Sequence, residues 1–575
     1  MSTARELFYI SAIFSLLGTL NLANYSRGTT PNYPDDRKVN RGIAPSSTDR
    51  IRTYISSGWD NLTRSTSNCA SYEDTKTDGP RILYLPTEVS EPPFLKELQD
   101  RCGVRVEHLP RQILNPGEVN LKEIPNEGLL YLENPYVVPG GKFNEMYGWD
   151  SYFIIRGLLR ENRRTLARGM IENFFFEIEH YGGVLNANRT YYLTRSQPPF
   201  LTSMILAQYD ADEAAGQGDL KWIEKAYGFA LRDYEQWNKE PHLAGDTGLS
   251  RYFDHGNGPV PEIEGDPDKY YRGAAQFFLE HGGVSESHLF RIDGGGSANQ
   301  SLEPNFDVFV CDSQATKPKD PNCAPADRVA LTSEFYKGDR SMRESGFDVS
   351  FRFGSFGADT HHYAPVCLNS LLYKTENDLE RISILLGRTD QARRWRTKSL
   401  ERRKRMEKYF WDGVKGIFFD YDFETHKRSS YEYATTFYPL WAGLASKNQA
   451  RDLVRNLSLF QQEGGVAMSR KETGAQWDYP YGWAPVQLLT VEGLRKYGYN
   501  SEADRIAASF LTMVMENFER DQTIREKYNV VTRSSETHIE AGYAQNVIGF
   551  GWTNAVILEL LHELSPKLRA QLDSK

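Results

Sequence analysis

The chain has 575 residues, 39% of them hydrophobic and 13% aromatic, which is enough to bury a sizeable core. Its formal net charge of -9 argues against nucleic acid as the main partner, because phosphate neutralisation needs clustered lysine and arginine. No run approaches the roughly eighteen apolar residues that a spanning helix requires, so stable membrane insertion is not expected.

Residues 1–50 are polar, with Pro31, Pro34 and Pro45, and read as a tail or arm. Within them Leu7–Leu20 is apolar enough to be a signal-peptide core behind Arg5, yet Glu6 adjoins it and no small-x-small cleavage site follows. A cytoplasmic location is favoured; a secreted or periplasmic one follows if that core is a signal. Residues 51–125 read as an accessory segment, with a helix-like stretch at Ile51–Leu62 and one strand-like run, Arg81–Pro86.

From residue 126 to 570 helical patterns recur at regular intervals. Ser151–Ile178 places Ile154, Ile155, Leu158, Leu159, Leu166, Met170, Ile171 and Phe174 at helical spacing. Similar faces follow at Pro199–Ala215, Trp222–Trp237, Leu368–Gly387, Gln391–Phe410, Thr435–Ala445, Trp483–Tyr497, Ala503–Phe518 and Trp552–Leu564. Paired helices without intervening strands imply an all-α domain. The basic run Arg393–Lys408 alternates with apolar residues and reads as the solvated face of a helix. Residues 255–340 are rich in Gly, Asp and Pro, as in Asp293–Ser297, and are too long for an ordinary connection. A cap over a pocket mouth is the expectation.

Five cysteines are too few for a disulfide framework, although Cys311 and Cys323 share one loop and could pair in an oxidising compartment. Eleven histidines show no metal-ligand spacing, and His361-His362 alone is a weak signal, so neither metal nor cofactor is expected. Oligomeric state is not legible.

Two runs carry chemistry. Pro139–Tyr152 (PGGKFNEMYGWDSY) packs glycines, aromatics and carboxylates into a turn ahead of a helix. Gln476–Pro485 (QWDYPYGWAP) has the same character more than three hundred residues later. Flat rings to stack on a pyranose and acids to hold its hydroxyls are what a sugar site needs.

The first run resembles a signature of the trehalase family of glycoside hydrolases, and the second matches that family's other signature. Asn186–Pro199, Arg343–Asp348, Glu526–Tyr528 and Phe550–Asn554 extend the resemblance over roughly residues 125–560, closest to the neutral, fungal-type members. The resemblance implies an (α/α)6 barrel with long loops or a small cap, which periodicity alone does not distinguish from other helical architectures. It implies Asp348 as general acid and Glu526 as general base of an inverting α-glucoside hydrolase, with carboxyls about 6.5–9.5 Å apart. A lone Asp after Gly is ordinarily a cap, and a Glu-Lys-Tyr is ordinarily surface; the flanking motifs in register decide otherwise. Phe143, Trp149, Asp150, Asn186, Arg195, Gln197, Arg343, Gly346 and Trp477 are expected to hold the reacting sugar, with Lys142, Glu262, Glu540 and Tyr543 further candidates. Trp483 is either wall or core; Glu344 either contacts sugar or pairs with Arg343.

Three departures stand out. Lys142 replaces an arginine, Phe347 stands where tryptophan or histidine precedes the acid, and Gly542 replaces the second acid of Glu-Ala-Glu-Tyr. The calcium-binding acidic loop of some fungal members has no counterpart. The expected substrate is a small compatible-solute glucoside, first α,α-trehalose; the alternative is glucosylglycerol, with a non-catalytic sugar-binding homologue behind both.

Overall fold

The computed structural model describes residues 46–73, 79–263, 266–282, 288–292, 308–312 and 323–573. The candidate signal core Leu7–Leu20 and the run Asp293–Ser297 lie outside the described residues. Six helices form an inner ring: Gly148–Arg160, Leu201–Ala214, Val366–Leu385, Tyr438–Ala442, Ala484–Lys496 and Gly551–Glu563. Each contacts the next, and the last closes on the first. Outside them pack Arg164–His180, Leu220–Trp237, Thr389–Phe410 and Asn500–Asp521, while Ser47–Leu62 lies against Gly551–Glu563. Lys447–Arg455, opened by a capping box at Ser446, brings the set to twelve. This is an (α/α)6 barrel.

The two rings differ in sequence for a physical reason. An inner helix touches protein on every side, so it is apolar all round; residues 551 to 561 are buried without a break. An outer helix buries one stripe. Thr389–Phe410 buries Ala392, Trp395, Ser399, Arg402, Met406 and Phe410 at intervals of three and four, leaving most of its basic residues in solvent. Arg402 is the exception, turned inward onto Glu376 at 2.9 Å and Asn369 at 3.0 Å.

Several boundaries depart from the periodic pattern. The expected helix Ser151–Ile178 is two helices, broken at Asn162, which takes a left-handed φ of 57° and lets the chain reverse from inner to outer ring. The stretch Ile51–Leu62 belongs to the barrel wall, because Ile51, Ile55 and Trp59 bury their side chains there. Beyond it, a small parallel sheet pairs Ile82–Leu85 with Arg105–His108 and Leu129–Leu130. The long segment before residue 340 carries the helix Pro267–His281, a three-stranded antiparallel sheet (Leu289–Arg291, Arg328–Leu331, Phe309–Cys311) and the start of the helix Ser333–Glu344. Its strands were hidden by their shortness. Cys311 pairs with Cys323, and Cys69 pairs with Cys102, so four cysteines form two disulfides and buried Cys367 is left as a thiol. The count of five concealed a staple in the accessory segment.

No helix among the described residues is long and apolar enough to cross a membrane.

Candidate active site

Where the inner helices begin, a cavity of about 460 Å³ opens, within the range of small-molecule pockets. Trp149 and Asp150 reach it from the first turn of Gly148–Arg160, and Trp552 from the start of Gly551–Glu563. Of the residues singled out from sequence, Lys142, Phe143, Trp149, Asp150, Asn186, Arg195, Gln197, Glu262, Arg343, Gly346, Asp348, Trp477, Glu526 and Tyr543 line this one cavity. Glu540 does not. It is exposed, its backbone amide bonded to Gly474 O at 2.9 Å, because the chain turns outward before reaching Gly542.

Asp348 sits on a short loop after the helix Ser333–Glu344. The turn depends on Gly346, whose φ of 75° suits glycine, and a Cβ there would stand 2.9 Å from the Trp149 indole. Burial pushes the Asp348 carboxyl up to about 6, against the pull of Arg343, whose guanidinium is 3.8 Å away, and of Arg195. About a third of the Asp348 side chain remains open to the cavity, so a ligand filling that space would complete its desolvation. Gln476 Nε2 donates to the Asp348 carbonyl. Behind the loop, the buried Asp478 carboxylate accepts from Ser350 Oγ at 3.0 Å, the Phe351 amide at 2.9 Å and Thr473 Oγ1 at 2.7 Å. Asp478 is thus a brace for the loop that carries Asp348, outside the cavity itself.

Glu526 approaches from the strand pairing of Tyr481–Trp483 with Lys527–Asn529. Tyr543 donates its hydroxyl to Glu526 Oε1, while Oε2 is buried and accepts no hydrogen bond among the described residues. Burial raises this carboxyl too. The Lys527 and Lys142 ammoniums and the Tyr543 bond oppose the shift by favouring the anion. Lys527 Nζ donates to Gln476 Oε1 and to Tyr543 O, both at 2.9 Å. One amide side chain, Gln476, therefore joins the backbone of Asp348 to the neighbour of Glu526.

Asp150 feels both charges. Burial lifts its carboxyl well above the usual range, its own backbone amide opposes, and Glu526 and Asp348 add to the rise. Across the cavity, burial alone would raise Glu262, but Arg195, Arg343 and Arg340 outweigh it and hold the carboxylate below its usual range. Arg195 pairs with Glu262 and donates Nε to Asn186 Oδ1 at 2.8 Å. Gln197 Oε1 accepts the Trp149 amide at 2.9 Å, fixing the start of that helix. Arg343 pairs with Asp339 at 3.3 Å. Glu344 turns away, accepting from the Ser196 amide and facing His242, both at 3.3 Å.

The aromatic wall is layered. Trp477 faces the cavity and stacks at 3.9 Å, nearly parallel, on Trp483, which is core. Phe347 also lies behind the wall, edge-on to Trp149 at 5.5 Å and Trp477 at 5.1 Å. That departure therefore changes packing and leaves the lining unaltered. Gly542 takes a φ of 127°, and a Cβ on it would meet the Gln476 side chain at 2.8 Å. Lys142 Nζ donates to Gln545 Oε1 at 3.3 Å at the mouth.

Sequence reasoning missed Tyr147, Tyr192, Tyr270, Gln476 and Gln545, all of which line the cavity. Gln476 and Tyr147 stood inside the two quoted runs. Tyr270 lies on the insertion's helix, where no local pattern separates a lining ring from a core one.

An (α/α)6 barrel whose ring of helix starts gathers aromatic rings and three raised carboxyls, Asp150, Asp348 and Glu526, in one cavity defines a glycoside hydrolase. The sequence profile described as "Trehalase" matches residues 43–277 and 316–565. The cytosolic neutral trehalase of Saccharomyces cerevisiae is 33% identical over 598 aligned residues, covering 94% of this chain and 74% of that protein. A probable trehalase of Eremothecium gossypii is 35% identical, covering 86% and 70%. A solved neutral trehalase from Saccharomyces cerevisiae superposes with a TM-score of 0.72 at 31% identity, covering 92% of this chain and 96% of that one. The chain belongs to the trehalase family.

Proposed function

We propose that this enzyme hydrolyses α,α-trehalose to glucose with inversion at the attacked carbon. Asp348 protonates the glycosidic oxygen, and Glu526 takes a proton from the water that attacks the opposite face. The observation that carries this reading is the unequal support of two carboxyls in one cavity. Asp348 is pushed up to about 6 and receives no side-chain hydrogen bond among the described residues, which suits a proton donor. Glu526 is held at Oε1 by Tyr543, and its buried Oε2 carries no hydrogen bond among the described residues, which leaves that oxygen without a competing donor and suits a base.

Trp149, Trp477 and Phe143 supply apolar faces for the sugar rings. Asp150 and Glu262 accept hydroxyl protons; Arg195, Arg343, Asn186 and Gln197 direct hydrogen bonds, the arginines through their planar forks. The family membership and the trehalases among its relatives support trehalose as the disaccharide. Nothing in those relatives supports glucosylglycerol. Glucose release from trehalose, glucosylglycerol and maltose at equal concentration tests the assignment. Trehalose should lead by at least tenfold in kcat/KM, about 1.4 kcal/mol of transition-state preference. A faster reaction on glucosylglycerol would move the substrate, and no release from any of them would remove the hydrolase reading.

A further inference from the structure

We propose a divalent-metal site, suited to zinc, formed by Glu334, His361 and His362 outside the sugar cavity. His361 stands twenty-seven positions after Glu334, and the fold brings their side chains together. Glu334 Oε2 lies 2.9 Å from His361 Nε2 and 3.7 Å from His362 Nε2. One ligand atom from each of the three falls within 4.8 Å of the others. Ligands bound at about 2.0–2.1 Å to a tetrahedral zinc stand about 3.3 Å apart, so small side-chain adjustments close the triangle.

The surroundings fit a cation. His362 turns its second ring nitrogen, Nδ1, toward Asp359 Oδ1 at 4.0 Å, and Asp359 is steadied in turn by His288 Nε2 at 3.1 Å. At 4.0 Å the contact between His362 and Asp359 is one of charge and not a hydrogen bond. Closing to about 3 Å when a metal draws in Nε2 would let the carboxylate set the ring and strengthen the ligand. His361 is buried, so its ring is held in place, whereas Glu334 is more than half exposed and gives the ion a way in. Two imidazoles and one carboxylate leave a fourth position for water.

The site has a mechanical consequence. Glu334 opens the helix Ser333–Glu344, whose far end carries Arg343, and His361 follows the loop that begins at Asp348. An ion there ties together both ends of the segment that presents the acid.

The test is calorimetric titration of chelator-treated, tag-free enzyme with zinc chloride, alongside Glu334→Gln and His362→Ala. Cobalt(II) absorption in the visible serves as a second readout of histidine ligation. One equivalent should bind to the wild type, at least tenfold more weakly to either variant, and zinc should raise the unfolding midpoint of the wild type alone. Circular dichroism of both variants shows that they are folded. Equal binding by wild type and variants, or no binding by the wild type, overturns the proposal.

Discussion

Asp348 and Glu526 are both lifted by burial, but what opposes the lift differs, and the difference is testable in pH profiles. The acid works while protonated, so kcat/KM should fall as pH rises through about 6, the value to which Asp348 is pushed. Substrate completes the desolvation of Asp348, so the same limb in kcat should lie at higher pH. Arg343 favours the Asp348 anion. Arg343→Gln should therefore move the alkaline limb upward while lowering kcat/KM overall, and a limb that stays put would separate Arg343 from the acid. By the same sign, Tyr543→Phe removes a bond that favours the Glu526 anion, so the acid limb should move to higher pH. Asp348→Asn should lower kcat by about 10²–10⁴-fold with KM little changed, measured on trehalose. Retained kcat in that variant would take Asp348 out of the acid role. At this scale the sequence was informative where motifs are contiguous, as at Trp149-Asp150 and Arg343–Asp348. It was misleading at Glu540, where motif membership does not reveal which way a loop turns.

The loop that presents the acid is held from behind by an element distant in sequence. Ser350 and Asp478 are 128 positions apart, yet the Asp478 carboxylate satisfies two hydroxyls and the Phe351 amide. Leaving such buried donors unpaired costs about 1–3 kcal/mol each. Asp478→Ala should lower stability by about 2 kcal/mol or more, seen as a lower thermal midpoint. It should also reduce kcat more than it raises KM, since the sugar-holding residues of Asn186–Gln197 keep their own bonds. An unchanged kcat would mean that the loop needs no brace. These long-range links were not legible. Nothing in Gln476-Trp477-Asp478 distinguishes a residue that lines the cavity from one that faces the opposite way, until the strand leading into Ala484–Lys496 fixes the register. The insertion was illegible for a different reason: strands of three and four residues are too short for an alternating pattern to register.

Across the whole molecule, the inner ring closes where its last helix meets its first, and the first described helix packs on the outside of that seam. Trp59 is fully buried, and its indole edge packs where Gly157 and Ala555 let the helices Gly148–Arg160 and Gly551–Glu563 approach closely. Trp59→Ala should cost about 3–5 kcal/mol and lower the thermal midpoint sharply, although the residue lies far from the chemistry. A midpoint within a degree of wild type would show that the helix Ser47–Leu62 is dispensable. The periodicity of the helices was legible throughout, and so was their count to within the short ones. Ring order was not, because an apolar face does not name the neighbour that covers it. The central claim is nonetheless a claim about stereochemistry: a water must fit between Glu526 and the anomeric carbon of the sugar whose leaving group Asp348 protonates. Proton NMR of trehalose hydrolysis, recorded before the products mutarotate, tests it directly. Inversion predicts β-glucose and α-glucose appearing in equal amounts, one from each half of the substrate, whereas α-glucose alone would contradict the assignment of Glu526 as a base acting through water.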